Sequence, residues 1–138
     1  SEKEPDMPVI ERFVECYAAR DWDGLAECLS DDGFERIGPY VDVIGSKEEY
    51  LAFLRRVVPT LEGDYELQAS RIAYVDDGLG FAELIEHLQV DGAMVDIPEV
   101  IVFGLDGKGH INRMRLYLQQ PGGEAPVGGK AAMGRQDA

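Results

Sequence analysis

Two glutamates, Glu86 and Glu99, lie in segments whose alternation of side chains is otherwise that of strands with an apolar face. Between them stands Asp91-Gly92, a dipeptide typical of the two-residue turn of a β-hairpin. Counting outwards from that turn pairs Glu86 with Ile97 and Leu84 with Glu99. Paired residues share a face because the side-chain period of a strand is two, so both glutamates fall on a mainly aliphatic face. Their positions form a cross-strand diagonal, which spans about 7–8 Å.

Two carboxyl groups on an apolar face could exchange protons with a ligand. Loss of solvation and mutual repulsion both raise the pKa of a carboxyl group, so one of the pair would keep its proton near neutral pH. Such a pair could serve as general acid and general base on a carbonyl, hydroxyl or epoxide. The alternative is that one of them lies at a strand end and reaches water or a partner, since buried unpaired carboxylates are rare.

The opposite face of the same hairpin is mixed in character. His87 and Asp96 are paired across it by the same register, and a structural or interface pair is favoured over a catalytic one. The apolar members of this face are Phe81, Ile85, Val100, Val102 and Tyr117. A face of this composition is too apolar to remain fully exposed to solvent. It predicts a homodimer that buries the face in an interface of standard size.

The elements around this hairpin follow from periodicity and turn signals. Apolar residues at helical spacing predict a first helix from Pro8 to Arg20, and a short second helix capped by Asp21 or Asp23. Ser46, with a glutamate three residues later, predicts the start of a third helix. Strands are predicted over 34–37, 65–75, 79–90, 93–103 and 110–118. These elements predict a single α+β domain over 1–120, a cone-shaped curved antiparallel sheet wrapped around three helices, with a Gly-, Pro- and Ala-rich tail over 121–138.

Composition argues against several classes of function. The net charge of −14 argues against nucleic acid or an anionic membrane as partner, because both require a basic surface. No apolar run approaches the roughly 20 residues of a membrane span, and a cytoplasmic location is the default expectation. Cys16 and Cys28 are expected to be free thiols, and the two histidines have no ligand spacing relative to them, so no metal site is predicted. No nucleotide-binding motif is present, which predicts no cofactor.

A set of short motifs gives the chain a family resemblance. The motifs are AARDWDGL at the entry to the second helix, DDGF before the first strand, GSKEEY at the start of the third helix and DGKGHINRMR between the last two strands. In this order, over residues 8–118, the chain resembles the nuclear transport factor 2-like superfamily and, within it, the SnoaL-like branch. Similar proteins include ketosteroid isomerases, limonene-epoxide hydrolases, polyketide cyclases and scytalone dehydratases, but also non-catalytic trafficking and assembly domains.

The resemblance carries over few of the catalytic residues of those enzymes. Similar isomerases have a tyrosine where Phe13 stands, a general base where Ile37 stands and a second acid where Ile101 stands. Similar epoxide hydrolases have a tyrosine and an asparagine on one short strand, where Glu35 and Ile37 stand here. The dienolate chemistry of the isomerases is therefore not predicted for this chain.

Glu86 is the position at which the epoxide-hydrolase pattern keeps a carboxylate, because those enzymes carry an aspartate there. Their arginine and last-strand aspartate fall on Leu84 and Leu116. The resemblance also places Glu86, Glu99 and Glu35 on the side of the cavity, in agreement with the strand register. It implies Glu86 as base, with Glu99 or Glu35 as acid or orienting group.

The resulting hypothesis is a protein that binds a small hydrophobic molecule, such as a polyketide, a terpenoid or a steroid-like ring. It would act on that molecule by cofactor-free acid–base chemistry: isomerisation, cyclisation, dehydration or hydrolysis. The ligand-binding residues are expected to be Phe13, Tyr17, Ile37, Tyr40, Leu84, Ile97, Ile101, Met114 and Leu116. The alternative is a non-catalytic module that uses the same fold for dimerisation or partner binding. A cavity containing the glutamates favours the first, and an interior filled by the protein's own side chains favours the second.

Overall fold

Three helices and a six-stranded sheet make up most of the described chain, which covers residues 7–61 and 64–120 of a computed structural model. The helices are α1 (Val9–Ala19), α2 (Trp22–Ala26) and α3 (Lys47–Val57), and a 3-10 turn over Val58–Thr60 follows the third. The strands are β1 (Glu35–Ile37), β2 (Val43–Ile44), β3 (Glu66–Asp76), β4 (Leu79–Val90), β5 (Ala93–Leu105) and β6 (Ile111–Leu118). The α+β class predicted from the sequence is confirmed. The predicted tail over 121–138 lies outside the described residues.

The sheet is mixed, with the strand order β2-β1-β6-β5-β4-β3. Strands β3 to β6 form an antiparallel meander, because each pairs with the next along the chain. The short strand β1 joins the far side of this meander by pairing with β6 in parallel, and β2 covers its other edge. The sheet therefore brings residues from the first third of the chain beside its last strand.

The helix starts are those that the sequence predicts. The carboxylate of Asp21 accepts the backbone N–H of Gly24 at 2.9 Å, which caps the first turn of α2. The Ser46 hydroxyl accepts the N–H of Glu49 at 3.1 Å at the start of α3. Between α1 and α2 the chain turns sharply at Arg20, which adopts the left-handed conformation with φ of 60°.

The central hairpin has the register predicted from its turn. Asp91 and Gly92 both have positive φ, at 52° and 83°, as a type I′ turn requires. Glu86 lies opposite Ile97, and Pro98 does not shift the pairing. The inner face of the sheet, meaning the face that packs against the helices, therefore carries both glutamates.

The described strands contain three register shifts. One lies at the end of β3, between Tyr74 and Asp76, and the other two are β-bulges that change which residues of the core point inwards. The first of these bulges lies between Ala69 and Arg71 in β3, so the inward positions change from odd-numbered to even-numbered residues, and Ile72 pairs with the buried Ala82. A single side-chain alternation therefore does not run through the whole of β3. A bulge adds one residue to one strand, and such an insertion reverses the faces of everything that follows it.

The second bulge lies where β5 meets β6, between Gly104 and Leu105. It brings Ile111 into the core, where its side chain is fully buried, and leaves Asn112 half-buried at the surface. Simple two-residue alternation back from Met114 would put Asn112 on the inner face, and the bulge changes this. Met114 and Leu116, beyond the bulge, keep their predicted face.

The hydrophobic core lies between the helices and the inner face of the sheet. Phe13 of α1 meets Phe103 of β5 edge to face, with ring centroids 5.6 Å apart. Gly80 lets α1 approach the sheet closely, because a Cβ atom there would lie 2.7 Å from Cδ1 of Ile10. Among the described residues, no helix is both long and apolar enough to cross a membrane.

Candidate functional site

A cavity of about 190 Å³ remains between the helices and the inner face of the sheet. Its walls come from α1, β1, α3 with the following 3-10 turn, and strands β3 to β6. Five aromatic rings line it, those of Phe13, Tyr17, Tyr50, Phe53 and Tyr65. Three charged side chains also reach it: Arg36, Glu86 and Glu99. The site is thus an apolar chamber with a small ionisable group of residues in its wall.

Glu86 is held by a chain of tyrosine hydroxyl groups. The Tyr65 hydroxyl donates a long hydrogen bond of 3.3 Å to Oε1 of Glu86, and it lies 3.0 Å from the Tyr17 hydroxyl. Since the single proton of Tyr65 goes to the carboxylate, Tyr17 must be the donor to Tyr65. Burial raises the pKa of Tyr17 to about 12 and that of Tyr65 further, so both hydroxyls keep their protons.

Arg20 fixes these tyrosines from outside the cavity. Its guanidinium donates to the backbone carbonyls of Tyr17 at 3.1 Å and Tyr65 at 2.9 Å, and it lies 5.2 Å from the centroid of the Tyr65 ring. The left-handed backbone at Arg20 is what turns its side chain back towards both residues. The donor chain to Glu86 is therefore anchored at the junction of α1 and α2.

Glu99 is the most buried carboxyl group of the site, with 3% of its surface exposed. Burial raises its pKa well above the ordinary value for glutamate, because the charged form loses its solvation. The neighbouring Glu86 raises the pKa further through hydrogen bonding and like charge, whereas Arg36 opposes the shift. Its Oε1 atom has no hydrogen-bond partner within 7–61 and 64–120. Burial therefore favours the protonated form of Glu99, which lies next to the carboxyl group of Glu86 that accepts from Tyr65.

Arg36 lies on the inner face because it pairs with Met114 in the parallel β1–β6 ladder. Only 7% of its surface is exposed, and one terminal nitrogen, Nη1, is 2.9 Å from Oδ2 of Asp42. The guanidinium also covers the ring of Phe53 at 5.0 Å from the centroid. Its Nε has no hydrogen-bond partner in the part of the chain that the structure describes. Among the described residues, the wall of the cavity thus contains two buried polar atoms without partners, one on Arg36 and one on Glu99.

The structure brings most of the predicted site residues to this cavity. Those that line it are Phe13, Tyr17, Glu86, Glu99, Ile101, Met114 and Leu116. Leu84 and Ile97 are buried, at 1% and 7% exposure, but they do not line the cavity. They are paired with Glu99 and Glu86 across the hairpin, as the predicted register requires.

Three predicted site residues lie elsewhere. Glu35 stands beside Arg113, with 3.7 Å between carboxylate oxygen and Nε, at a surface depression outside the cavity. Ile37 shares the outward direction of Glu35 because they are two residues apart in one strand. Tyr40 is 78% exposed in the loop after β1. The expectation that Glu35 would face the cavity is corrected, because the inward position of this three-residue strand belongs to Arg36.

Arg36 and Tyr65 line the cavity beside the glutamates, and the sequence does not predict either of them at the site. A charged residue in a three-residue strand is ordinarily expected to face water, so its type gave no signal. A signal did exist in the spacing, because Phe34 is two residues before Arg36 and would be expected to point inwards. Tyr65 was assigned to the long strand, but only the fold shows that it meets Glu86.

The outer face of the sheet carries the second pair that the sequence singled out. His87 and Asp96 lie opposite each other and are in contact through Nδ1 and Oδ1. The other ring nitrogen of His87 is 3.2 Å from Oε1 of Gln68. This pair lies on the opposite side of the sheet from the cavity, which agrees with the structural or interface interpretation.

Comparison with known proteins adds the class of fold. No family model matches the sequence, and no curated protein matches it. Solved structures do resemble it. An epoxide hydrolase of M. tuberculosis described as LEH-like is 22% identical, with 80% of each chain covered and a TM-score of 0.67.

Two further structures resemble the chain over most of its length. The protein Bal32a, from a soil-derived mobile gene cassette, is 17% identical with 80% of this chain and 86% of that chain covered, at a TM-score of 0.71. An NTF-2 like protein of unknown function from Burkholderia xenovorans LB400 is 17% identical, with 94% and 92% covered and a TM-score of 0.66. The chain therefore has the nuclear transport factor 2-like fold, as the resemblance predicts. At these identities the likeness establishes the fold alone.

Proposed function

We propose that this protein binds a small hydrophobic molecule in the cavity and transfers protons to and from it without a cofactor. The observation that carries the proposal is the carboxyl pair in the apolar wall: Glu99, buried and protonated, beside Glu86, which accepts from Tyr65. Two carboxyl groups whose surroundings separate their protonation states are the usual equipment for acid–base catalysis. Oε1 of Glu99 is buried without a hydrogen-bond partner among the described residues. A carboxyl group that served only to stabilise the fold would be expected to have its oxygen atoms hydrogen-bonded.

The proposed step moves two protons. The Glu86 carboxylate takes a proton from the ligand, or from a water that attacks it, while Glu99 gives its carboxyl proton to an oxygen of the ligand. Arg36 would stabilise the negative charge left on Glu99, because its positive charge favours the ionised form of that group, and Tyr65 orients Glu86 through its hydrogen bond. Isomerisation, cyclisation, dehydration and hydrolysis all use this exchange. Among the structures that share the fold, the M. tuberculosis protein is described as an epoxide hydrolase, which is one reaction of this kind.

The homodimer predicted from the sequence is part of the proposal. On the outer face of the sheet, Phe81 is 37% exposed and Tyr117 is 56% exposed. Val100 and Val102 lie between them in the middle of the sheet. Apolar side chains grouped in this way are typical of an interface between subunits.

The second candidate is a non-catalytic module that dimerises or binds a partner. It is favoured by the fold alone, because proteins of this class include domains without an active site. An open cavity with ionisable residues in its wall is the observation against it, since a purely structural domain would fill that space with apolar side chains.

Proton transfer can be tested without knowing the natural substrate. Cyclohexanone in D₂O exchanges its α-hydrogens slowly, and a general base in a cavity that holds the ketone accelerates the exchange, which NMR measures directly. We expect the wild-type protein to accelerate exchange above buffer. Glu86→Gln should lower the protein-catalysed rate by roughly 100-fold or more, since general acid–base catalysis contributes about 10²–10⁴-fold.

The matched control is Glu83→Gln, which changes the same residue type on the outer face of the same strand, where Glu83 contacts Arg71. Its exchange rate should equal that of the wild type. If the wild-type protein exchanges the ketone no faster than buffer, or if Glu86→Gln leaves the rate unchanged, the non-catalytic module is favoured over the proton-transfer function.

A further inference from the structure

The size of the cavity limits the ligand to one ring. A cavity of roughly 150 Å³ in another protein interior holds one benzene molecule. The 190 Å³ here leaves space for a six-membered ring with a few further heavy atoms. A molecule of four fused rings would require the packed walls to separate, which close-packed protein interiors resist.

The charges around the cavity disfavour cationic ligands. Cations are commonly bound over the faces of aromatic rings, but here the protein's own arginines occupy such positions. Arg36 and Arg56 lie 5.0 Å and 5.8 Å from the centroid of Phe53, and Arg20 lies over Tyr65.

Anionic ligands are disfavoured for a related reason. The charge of Arg36 is partly offset by Asp42, whose Oδ2 is 2.9 Å from Nη1, so Arg36 stabilises a ligand anion less than an unpaired arginine would. An added negative charge would lie near the Glu86 carboxylate, in a protein of net charge −14. Neutral molecules are the class that remains.

The unpartnered polar atoms define what a neutral ligand should carry. Nε of Arg36 is a donor without an acceptor, and Oε1 of Glu99 lacks a partner, both within the described parts of the chain. Both side chains are more than nine-tenths buried and line the same cavity. A hydroxyl group can accept from the arginine N–H and donate its own proton to Oε1 of Glu99, whereas a carbonyl oxygen only accepts, from the arginine N–H or from a carboxyl proton carried on Oε1. An oxygen function on the ring would therefore provide a partner for the polar atoms that the described residues leave without one.

We infer that the ligand is a neutral one-ring compound with a hydroxyl or carbonyl oxygen directed at Arg36 and Glu99. This inference rests on the proposed function in taking the same cavity as the binding site. It narrows the chemical class, because four-ring steroid-like and polyketide compounds, hydrocarbons, amines and carboxylates are all disfavoured.

Calorimetric titration with compounds of matched shape tests the inference. The probes are 4-methylphenol, toluene, benzylamine, benzoate and the four-ring phenol estradiol. We expect 4-methylphenol to bind at least 10-fold more tightly than toluene, which corresponds to about 1.4 kcal/mol. Benzylamine, benzoate and estradiol should each bind at least 10-fold more weakly than 4-methylphenol. If toluene or an ion binds as tightly as 4-methylphenol, the inferred polarity of the ligand is wrong. If estradiol binds as tightly, the inferred size of the ligand is wrong.

Two variants locate the preference in the structure. Glu99→Met keeps a side chain of similar length without oxygen atoms, and it should reduce the preference for 4-methylphenol over toluene at least 5-fold. Glu83→Met, on the outer face, should leave the preference unchanged. A preference that survives Glu99→Met would refute the assigned contact. The ligand series on the wild-type protein decides polarity and size even where Glu99→Met fails to fold.

The same titrations in Glu86→Gln separate this inference from the proposed function. The order of affinities should persist in that variant, because Glu86 is needed for proton removal and is not part of the inferred oxygen contact. Binding in the expected order without ketone exchange would refute catalysis and leave the ligand class standing. Exchange together with a preference for toluene or a cation would refute the ligand class and leave catalysis standing.

Discussion

The buried carboxyl of Glu99 should make the stability of this protein fall as the pH rises. Burial raises the pKa of Glu99 in the folded state, whereas in the unfolded chain the group titrates near 4.5. Between these two values the folded state holds one proton that the unfolded state has released. The free energy of unfolding therefore decreases with increasing pH, by up to about 1.4 kcal/mol per pH unit for one proton. The stabilisation that the retained proton of Glu99 gives is complete below pH 4.5 and is lost progressively above it.

Glu99→Gln removes that titration while it keeps the size and shape of the side chain. From pH 5.5 to pH 7.5 the stability of the variant relative to the wild type should increase by about 2–3 kcal/mol, which is two pH units at nearly one proton. Urea denaturation at several pH values, followed by the fluorescence of Trp22, measures this difference. The difference in the free energy of unfolding between the two proteins removes the contributions of the histidines and of other groups that titrate in both.

Glu83→Gln is the control for the stability experiment, because it makes the same substitution at an exposed position. Its stability relative to the wild type should be constant over the same pH range. If the Glu99→Gln difference is also constant, to within about 0.5 kcal/mol, then Glu99 is ionised in the folded protein. The assignment of Glu99 as the acid would then be wrong.

Two further substitutions test the tyrosine chain and the outer face. Tyr65→Phe removes the donor to Glu86 and should lower the free energy of unfolding by about 1 kcal/mol, measured by thermal denaturation; Tyr40→Phe, in an exposed loop, should leave it unchanged. Phe81→Asp places a charge in the proposed subunit interface and should give monomers in light scattering at micromolar concentration. Tyr40→Asp should keep the molar mass of the wild type. A Phe81→Asp protein of wild-type mass would show that the subunits do not meet on this face.

The central hairpin could be predicted from the sequence because a two-residue turn leaves no freedom in the register. Asp91 and Gly92 tolerate positive φ, and once they close the turn every pair along β4 and β5 follows by counting. The positions of Glu86 and Glu99 on the inner face are consequences of that count. A local signal is thus enough to place both glutamates on the inner face of the sheet.

The rest of the site depends on contacts that no local signal encodes. The bulge after Ala69 and the one after Gly104 each add a residue to one strand, and many sequences tolerate such an insertion without a marked change in composition. Arg36 faces inwards because β1 pairs with the last strand of the sheet, and in a strand of three residues the local signal is limited to its two-residue spacing from Phe34. The burial of an arginine is also contrary to its average preference.

The parallel pairing of β1 with β6 also has a consequence for the order of folding. Strands β3 to β6 contact their neighbours in sequence, and such local hairpins form quickly, whereas β1 must close a long loop before it reaches β6. Until β1 arrives, one wall of the chamber is missing, so Glu99 stays hydrated and ionised. The docking of β1 is therefore expected to be the step that takes up the proton, which makes late folding faster in mild acid than in alkali.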